Sequence, residues 1–298
     1  MAEKRKFYGM RNDYMFHAVL QKNEEVLRNL LATLLEIDEA EIESCHIENP
    51  IELGKEIEGK ECILDVKLTL NNDKVINIEL QVYKQTYWIN RSLLYWARTY
   101  DNLKSGQDYS MLLPAYHIGI LDFTLFENHP KFMAQYQILD VEDGYLYSDK
   151  LCIKVLDLTQ LEKAKQEPET NKKLLKWAGI FKAETLEELE QLARGEEVFE
   201  NMVVTMKKLS EDEKIRMQCE AREDYERSLL TEYNAGKREG IELERENTEK
   251  ERQRADDAVQ RADDAVQRAD DAVQRANDAV KRAAELEAEV KRLQELLK

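Results

Sequence analysis

Two runs of alternating apolar and polar residues, joined by a short polar segment, constrain the fold of this chain most strongly. They lie between Glu61 and Tyr83. Alternation with a period of two predicts β-strands that bury one face and expose the other. The segment between the runs, Asn71-Asn72-Asp73, consists of residues that tolerate positive φ and favour tight turns. The sequence therefore predicts an antiparallel β-hairpin with one apolar and one polar face.

The length of the turn determines the direction of two acidic side chains. If three residues form the loop, Leu70 pairs with Lys74. The same register places Asp65 opposite Glu79 on the polar face, whereas a two-residue loop would place these carboxylates on opposite faces. Adjacent carboxylates repel each other, and burial raises a carboxyl pKa unless a cation neutralises the pair. Such oxygen ligands suit Mg²⁺ or Mn²⁺; the alternative is a half-buried sheet whose polar face contacts only water.

Several further segments accompany this pair of acids. They are NDYMF at 12–16, ILDV at 63–66, INIELQ at 76–81, a helix carrying Arg91, Tyr95, Arg98 and Tyr100, PAYHIGILDFTLF at 114–126 and YNAGKREGIE at 233–242. In this order the segments resemble the PD-(D/E)XK nuclease superfamily and, more narrowly, the bacterial recombination-promoting nuclease and putative transposase family. The resemblance spans about residues 7–245. One position departs from the superfamily pattern, since Gln81 stands where the E-x-K motif has lysine.

The resemblance implies an α/β fold with a restriction-endonuclease-like core, in which an α-helical region follows a mixed central sheet. It implies that Asp65 and Glu79 bind Mg²⁺, or else Mn²⁺ or Ca²⁺, with the Leu80 carbonyl as a third ligand. Gln81 is then expected to orient the attacking water, because an amide does not act as a base near neutral pH. The implied catalytic residues are thus Asp65, Glu79 and Gln81.

Other residues are candidates for supporting roles in such a site. In the resembled family an acidic residue from the first helical region approaches the metal, and Asp13 or Glu25 would fill that role. Lys67, on the same face as Asp65, or Lys84 would supply the positive charge that the lysine of the E-x-K motif supplies in the superfamily. His117 lies in an apolar run and is expected to be a core or sheet residue.

A helix is predicted from Lys84 to Leu103, with two sets of residues repeating along it. The apolar set, expected to pack on the sheet, is Leu93, Leu94, Trp96 and Ala97. The other set recurs at spacings of four, three and four, which forms one polar stripe, and consists of Arg91, Tyr95, Arg98 and Asn102. This stripe either contacts the phosphodiester backbone of DNA or pairs with carboxylates of the sheet. The resemblance favours DNA binding by Arg91, Tyr95 and Arg98.

The remaining elements follow from apolar periodicity and turn residues. A helix is predicted over residues 13–36, with Asn23-Glu24 as a candidate break and Asp13 as a candidate N-cap. Strands are expected within 42–56 and over 112–126, 133–139 and 151–158, with a turn at 142–144. Helices follow from about residue 161 and are expected to cover the sheet without chemistry of their own. Ser210 is predicted to open the last long helix in a capping box with Glu213.

Composition limits the classes of protein and partner. The net charge of −17 counts against broad affinity for DNA, so a nucleic-acid partner requires a local basic patch or bridging cations. An apolar run of about 18 residues is absent, as is the apolar core of a signal peptide, so no membrane association is expected. The cysteines and histidines show no zinc-ligand spacing. These features predict a cytoplasmic, bacterial protein.

The C-terminal segment is an internal heptad repeat. QRADDAV occurs three times from Gln253 and is followed by QRANDAV. Valine recurs at the a position and alanine at the d position of the heptad. This pattern predicts a coiled coil through which the chain forms a homo-oligomer, and alanine at d predicts weak association. The alternative is a single solvated helix supported by pairs of arginine and aspartate.

Together these patterns predict three parts: a nuclease core over residues 1–160, a helical extension over 161–248 and a coiled-coil tail over 249–298. The predicted function is a Mg²⁺-dependent DNA endonuclease that hydrolyses phosphodiester bonds. Two alternatives stay open. One is a catalytically inactive nuclease fold that binds DNA or protein, and the other is a scaffold whose function lies in the coiled coil.

Overall fold

Six strands form one mixed β-sheet among the residues that the computed structural model describes, 6–51, 53 and 65–296. They are β1 Cys45–Ile47, β2 Val66–Leu70, β3 Lys74–Gln81, β4 Ala115–Leu121, β5 Met133–Leu139 and β6 Leu146–Asp157. Their order across the sheet is β1-β2-β3-β4-β6-β5. The β3–β4 and β4–β6 pairs are parallel, and the other three pairs are antiparallel. This arrangement confirms the predicted α/β fold with a mixed central sheet.

β2 and β3 form the predicted hairpin with a three-residue loop. Leu70 pairs with Lys74, as the predicted register requires. Asn71 and Asn72 have φ angles of 50° and 56°, a left-handed conformation that asparagine tolerates better than most residues. The Asn71 side chain also accepts hydrogen bonds of 2.8 and 3.1 Å from two backbone N–H groups before β1. Residues 61–64, at the start of the predicted first strand, lie outside the described residues.

Helix α3, Trp88–Tyr100, connects the parallel strands β3 and β4. Parallel neighbours require a crossover connection of this kind. The helix buries Trp88, Ser92 and Thr99, which lie at helical spacings along one face. Trp88 belongs to a small apolar cluster with residues of β4 and β6. The predicted helix over 84–103 is therefore confirmed with shorter bounds.

The apolar face predicted for α3 is largely wrong. Leu93 and Leu94 are 47% and 50% exposed, and Ala97 is exposed as well. Trp96 is half-buried and donates a 3.0 Å hydrogen bond from Nε1 to the Ala115 carbonyl. The helix instead buries the small side chains of Ser92 and Thr99 together with Trp88. Periodicity identified the stripes on this helix but did not determine which of them faces the sheet.

The opposite face of the sheet carries the main core. Its strand residues, including Val66, Ile78 and Ile118, pack with apolar residues of the other helices. These helices are α1 Asp13–Lys22, α2 Glu24–Leu35, α4 Leu161–Ala164, α5 Lys172–Lys182, α6 Leu186–Ala193 and α7 Glu197–Glu211. Short 3₁₀ helices lie at Glu39–Glu41, Tyr109–Met111 and Leu158–Gln160. The predicted helical region therefore covers the sheet.

The break predicted in the first helical segment is confirmed, but two predicted caps are wrong. Asn23 separates α1 from α2, and its side chain accepts a hydrogen bond from the N–H of Val26. Asn12 caps α1, accepting from Met15, whereas Asp13 is already helical. The predicted Ser210 cap is wrong because α7 continues to Glu211. The next helix instead starts after Asp212, whose carboxylate accepts from the N–H groups of Lys214 and Ile215.

The contacts divide the chain into two units, Met1–Ser228 and Leu229–Lys298. Helix α8, Glu213–Leu296, contributes its first turns to the first unit and constitutes the described part of the second. The heptad valines Val259, Val266, Val273 and Val280 are all at least 60% exposed. The coiled coil and the three-part division with boundaries at 160 and 248 therefore stay predictions. Across the described residues, no helix combines the length and the apolar character required to cross a bilayer.

Candidate active site

The hairpin brings Asp65 and Glu79 to the same face of the sheet. Val66 pairs with Ile78, so the same register places Asp65, immediately before β2, opposite Glu79 on β3. Both carboxylates are buried, with Asp65 6% and Glu79 1% exposed. A pair of acids on adjacent strands is thus held in the low-dielectric interior, where like charges repel strongly.

Burial and mutual repulsion alter the protonation of this pair. The pKa of the Asp65 carboxyl is raised from 3.8 to about 7, first by burial and second by the negative charge of Glu79. The positive charge of Arg91 and a hydrogen bond with Asn77 act in the opposite direction. Asp65 in the metal-free protein therefore holds its proton up to about neutral pH.

Glu79 faces a different polar group on each of its oxygens. Arg91 Nε lies 3.1 Å from Oε1, and His117 Nε2 lies 3.4 Å from Oε2. Neither contact has hydrogen-bond geometry, so both buried oxygens of Glu79 are without a hydrogen bond within the described part of the chain. Buried polar atoms are nearly always hydrogen-bonded, and exceptions often mark catalytic or ion-binding groups.

His117 and Asn77 complete the polar lining of this face. Asn77 pairs with His117 in the parallel β3–β4 register, and Asn77 Nδ2 lies 3.2 Å from His117 Nδ1. His117 is fully buried. The centroid of its ring lies 5.9 Å from the ring centroid of Trp88 and 6.3 Å from that of Tyr95. Sequence reasoning missed His117 as a polar contact of Glu79. An alignment of β4 parallel to β3 would have placed it beside Asn77.

Gly119 allows the aromatic cover of the site to lie close to the sheet. It is the register partner of Glu79 on β4. A Cβ atom at this position would lie 2.3 Å from Cζ2 of the buried Trp88 ring. Only glycine therefore permits Trp88 to pack against the β4 backbone beside His117.

The donor set suits a hard divalent cation. Asp65 and Glu79 supply carboxylate oxygens, and Leu80 follows Glu79 along β3. Among residues 6–51, 53 and 65–296, none makes a hydrogen bond to the Glu79 oxygens. No cluster of three or more His, Cys, Asp and Glu side chains that could hold a metal ion occurs in the described ranges. A pair of carboxylates is nevertheless a usual protein ligand set for Mg²⁺, which is typically bound through one or two carboxylates together with waters and phosphate oxygens.

Comparison with known protein families decides the classification of the chain. The family model described as PD-(D/E)XK nuclease family transposase matches residues 10–233. This chain belongs to that family. Comparisons with curated proteins and with solved structures gave no match. The expected membership of the nuclease and putative transposase family is therefore confirmed.

In this PD-(D/E)XK family member, the stripe on α3 is divided between two environments. Arg91 is directed at Glu79, and its guanidinium lies 5.0 Å from the centre of the Tyr95 ring. Arg98 is exposed, whereas the Asn102 side chain is hydrogen-bonded to the backbone of Leu113. For Arg91, the structure thus shows pairing with a sheet carboxylate, the second of the two expected roles of the stripe.

The residues expected to replace the family lysine lie at different places. Gln81 is half-buried at the end of β3, two residues beyond Glu79 on the same face. Lys67 lies opposite Asn77, and its Nζ is 2.9 Å from a Glu48 oxygen. Lys84 is paired with Glu127 at 2.7 Å. Both lysines have an acidic partner of their own, whereas Arg91 is the cation that contacts Glu79.

The two candidate accessory acids, Asp13 and Glu25, lie in different surroundings. The negative charge of Asp13 contributes to the raised pKa of Asp65, so Asp13 is within electrostatic reach of the pair. Asp13 accepts hydrogen bonds of 2.9 and 3.0 Å from Nε of Arg222, on α8. Glu25 instead lies on α2 and accepts a 3.2 Å hydrogen bond from Asn201 of α7. Arg222, in the predicted helical extension, thus fixes the side chain of Asp13 by hydrogen bonds.

Proposed function

We propose that this PD-(D/E)XK family member is a Mg²⁺-dependent endonuclease that hydrolyses phosphodiester bonds of DNA. The supporting observation is the buried Asp65–Glu79 pair, in which neither oxygen of Glu79 has a hydrogen bond from the residues that the structure describes. A structural acid at this position would be expected to have its oxygens hydrogen-bonded. Free acceptor atoms beside a second carboxylate are suited to bind a cation instead.

Asp65 and Glu79 would hold the cation, with the Leu80 carbonyl as a third protein ligand. The chemistry that a bound Mg²⁺, Mn²⁺ or Ca²⁺ supplies in such a site is Lewis acidity, which acidifies water and offsets negative charge on phosphate. The Asp65 carboxyl must lose its proton in order to bind the cation. Cation binding should therefore release a proton at pH values near or below the raised pKa of Asp65.

Gln81, Arg91 and Arg98 have distinct roles in this proposal. The Gln81 amide both donates and accepts hydrogen bonds, so it orients the attacking water without removing its proton. Arg91 offsets the charge of Glu79 in the metal-free protein and is placed to bind the scissile phosphate when a cation takes over that role. Arg98 is exposed on the same helix, and with Tyr95 it would contact the DNA backbone. Arg91 and Arg98 would supply local positive charge for DNA in a chain whose net charge is −17.

A specific observation favours a second candidate function. Arg91 already neutralises Glu79 within the chain, and the family lysine is replaced by Gln81. A site with these two features would also suit a nuclease fold that binds DNA or protein without cleaving it. Such a module would bind its partner equally well with or without divalent cations.

The test is a supercoiled-plasmid nicking assay with Mg²⁺, Mn²⁺ or Ca²⁺. The wild-type chain should nick DNA with Mg²⁺ or Mn²⁺, and Asp65→Asn and Glu79→Gln should each lose at least about 100-fold in rate. Asp157→Asn is the matched control, because Asp157 is a buried acid on β6 that accepts a hydrogen bond from Thr159. Equal nicking by the wild type and Asp65→Asn would exclude the enzyme. Cation-independent DNA binding without nicking would favour the binding module.

We also propose that residues 249–298 hold two or more copies of the chain together. The heptad valines and the later Leu286, Val290 and Leu293 are exposed on a single helix. Apolar residues at coiled-coil positions become buried when a second helix packs against them. This association is separate from the chemistry of the first unit.

A further inference from the structure

We propose that His117, oriented by Asn77, is a positioning residue that fixes the carboxylate of Glu79 for cation binding. This inference rests on the proposed function, because it assigns a role in the same site. The alternative is a histidine buried in the core that has only a packing role. Three features of the site favour the positioning role.

The first feature is the tautomer that the contacts require. An amide nitrogen is a donor only, so Asn77 Nδ2, 3.2 Å from His117 Nδ1, requires Nδ1 to accept. The single ring proton is then on Nε2. This nitrogen is the one that lies 3.4 Å from Glu79 Oε2. Asn77 thus selects the form of His117 whose N–H group is on the nitrogen nearest the carboxylate, although the two do not have hydrogen-bond geometry in the metal-free structure.

The second feature is the rigidity of the ring. His117 lies on β4, in the centre of the sheet, and is 0% exposed. Trp88 and Tyr95 of α3 flank it, and Gly119 allows Trp88 to pack directly against β4. A ring enclosed in this way has little freedom to turn. The direction of its Nε2–H is therefore set by the sheet and by α3.

The third feature is a connection between the two acids. Asn77 is also close enough to Asp65 for its amide to lower the pKa of the Asp65 carboxyl. The polar groups thus form a series of contacts from Asp65 through Asn77 and His117 to Glu79. Arg91 approaches the other Glu79 oxygen from a helix and is partly exposed, whereas His117 is part of the sheet. His117 and Asn77 together hold the carboxylates in a fixed mutual orientation.

Polar partners that orient metal ligands typically change metal affinity by about 10–100-fold when they are removed. We therefore expect His117→Phe, which fills the space without a donor, to weaken Mn²⁺ binding by about this factor. His117→Gln restores an N–H donor and should recover part of the affinity. Isothermal titration of Mn²⁺ into the full chain measures both variants, and thermal unfolding confirms that they fold. A merely structural role would lower the unfolding temperature without this difference between Phe and Gln.

A second measurement needs no variant. Long-range ¹H–¹⁵N correlation spectra of the metal-free wild-type chain report which ring nitrogen of His117 carries the proton. The proposal predicts a proton on Nε2 and an unprotonated Nδ1. Protonation at Nδ1 would overturn the role of His117, and so would equal Mn²⁺ affinity in the wild type and His117→Phe. If the wild-type chain bound no Mn²⁺, the proposed function itself would fail, and with it this proposal.

Discussion

Glu79 combines complete burial with two carboxylate oxygens that make no hydrogen bond to any described part of the chain. An unsatisfied buried polar group costs about 1–3 kcal/mol, and a charged one costs more. The nearby guanidinium of Arg91 reduces this cost, but it does so without hydrogen-bond geometry. The metal-free site is therefore destabilising, and a divalent cation bound to the folded state would stabilise the chain.

Asp65 should make the stability of the metal-free protein depend on pH. Its folded-state pKa of about 7 lies above the unfolded value, so the unfolded chain ionises first as pH rises. The free energy of unfolding should fall as the pH rises from about 4 to about 7. Above that range, Asp65 should contribute little further pH dependence. Asp65→Asn removes the contribution of Asp65.

Urea unfolding in EDTA at about pH 5 and pH 8 measures the effect. Asp65→Asn should gain stability relative to the wild type at the higher pH. Parallel pH dependences for the wild type and Asp65→Asn would show that the pKa of Asp65 is not raised in the folded protein.

Some residues of the site could be predicted from sequence and others could not. Alternation and turn length were sufficient to place Asp65 and Glu79 on one face, because strand periodicity and loop length are local properties. The contacts of His117 and Arg91 depend on the parallel β3–β4 register and on the rotation of α3. Both are set by packing between residues distant in sequence. An isolated histidine in an apolar run gives no local signal for such a contact.

At the scale of elements, the loop between β2 and β3 determines which face carries Asp65. Deletion of Asn72 would leave a two-residue loop, and a shift of one residue reverses the direction of every side chain in the strand. We expect the deletion to abolish Mn²⁺ binding. Asn72→Gly should keep it, because glycine adopts the φ of 56° seen at this position without strain.

Mn²⁺ titration of the two loop variants tests this prediction, with circular dichroism as the check on folding. Retained binding in the deletion variant would mean that the loop does not fix the position of Asp65. The same element shows why its prediction succeeded. Three consecutive turn-forming residues between two alternating runs leave few alternative registers for the hairpin. Helix α3, in contrast, carries two stripes, and the sequence does not show which of them faces the sheet.

On the scale of the whole molecule, the chain divides into two units, and the proposed site lies entirely within Met1–Ser228. Removal of residues 249–298 should therefore leave the rate of plasmid nicking unchanged within about twofold at saturating DNA, while it reduces self-association. Sedimentation velocity and the nicking assay measure the two effects. Loss of nicking on truncation would favour the scaffold alternative, in which the coiled coil carries the function.

The fold as a whole followed from the resemblance more than from physical patterns. Local periodicity predicted most strands and helices, but the sheet order β1-β2-β3-β4-β6-β5 involves pairings between strands distant in sequence. Such pairings have no local signal. The exposed heptad valines illustrate the converse. Their pattern is clear, but the partner that we propose for them is a second copy of the chain, which a single chain does not show.

We propose that Asp65 and Glu79 bind one divalent cation together. Electron paramagnetic resonance of free Mn²⁺, titrated with the wild type, Asp65→Asn, Glu79→Gln and Asp157→Asn, measures this binding. We expect one site in the wild type and in Asp157→Asn, and at least about 100-fold weaker binding in each of the other two variants. Wild-type affinity in either Asp65→Asn or Glu79→Gln would contradict it.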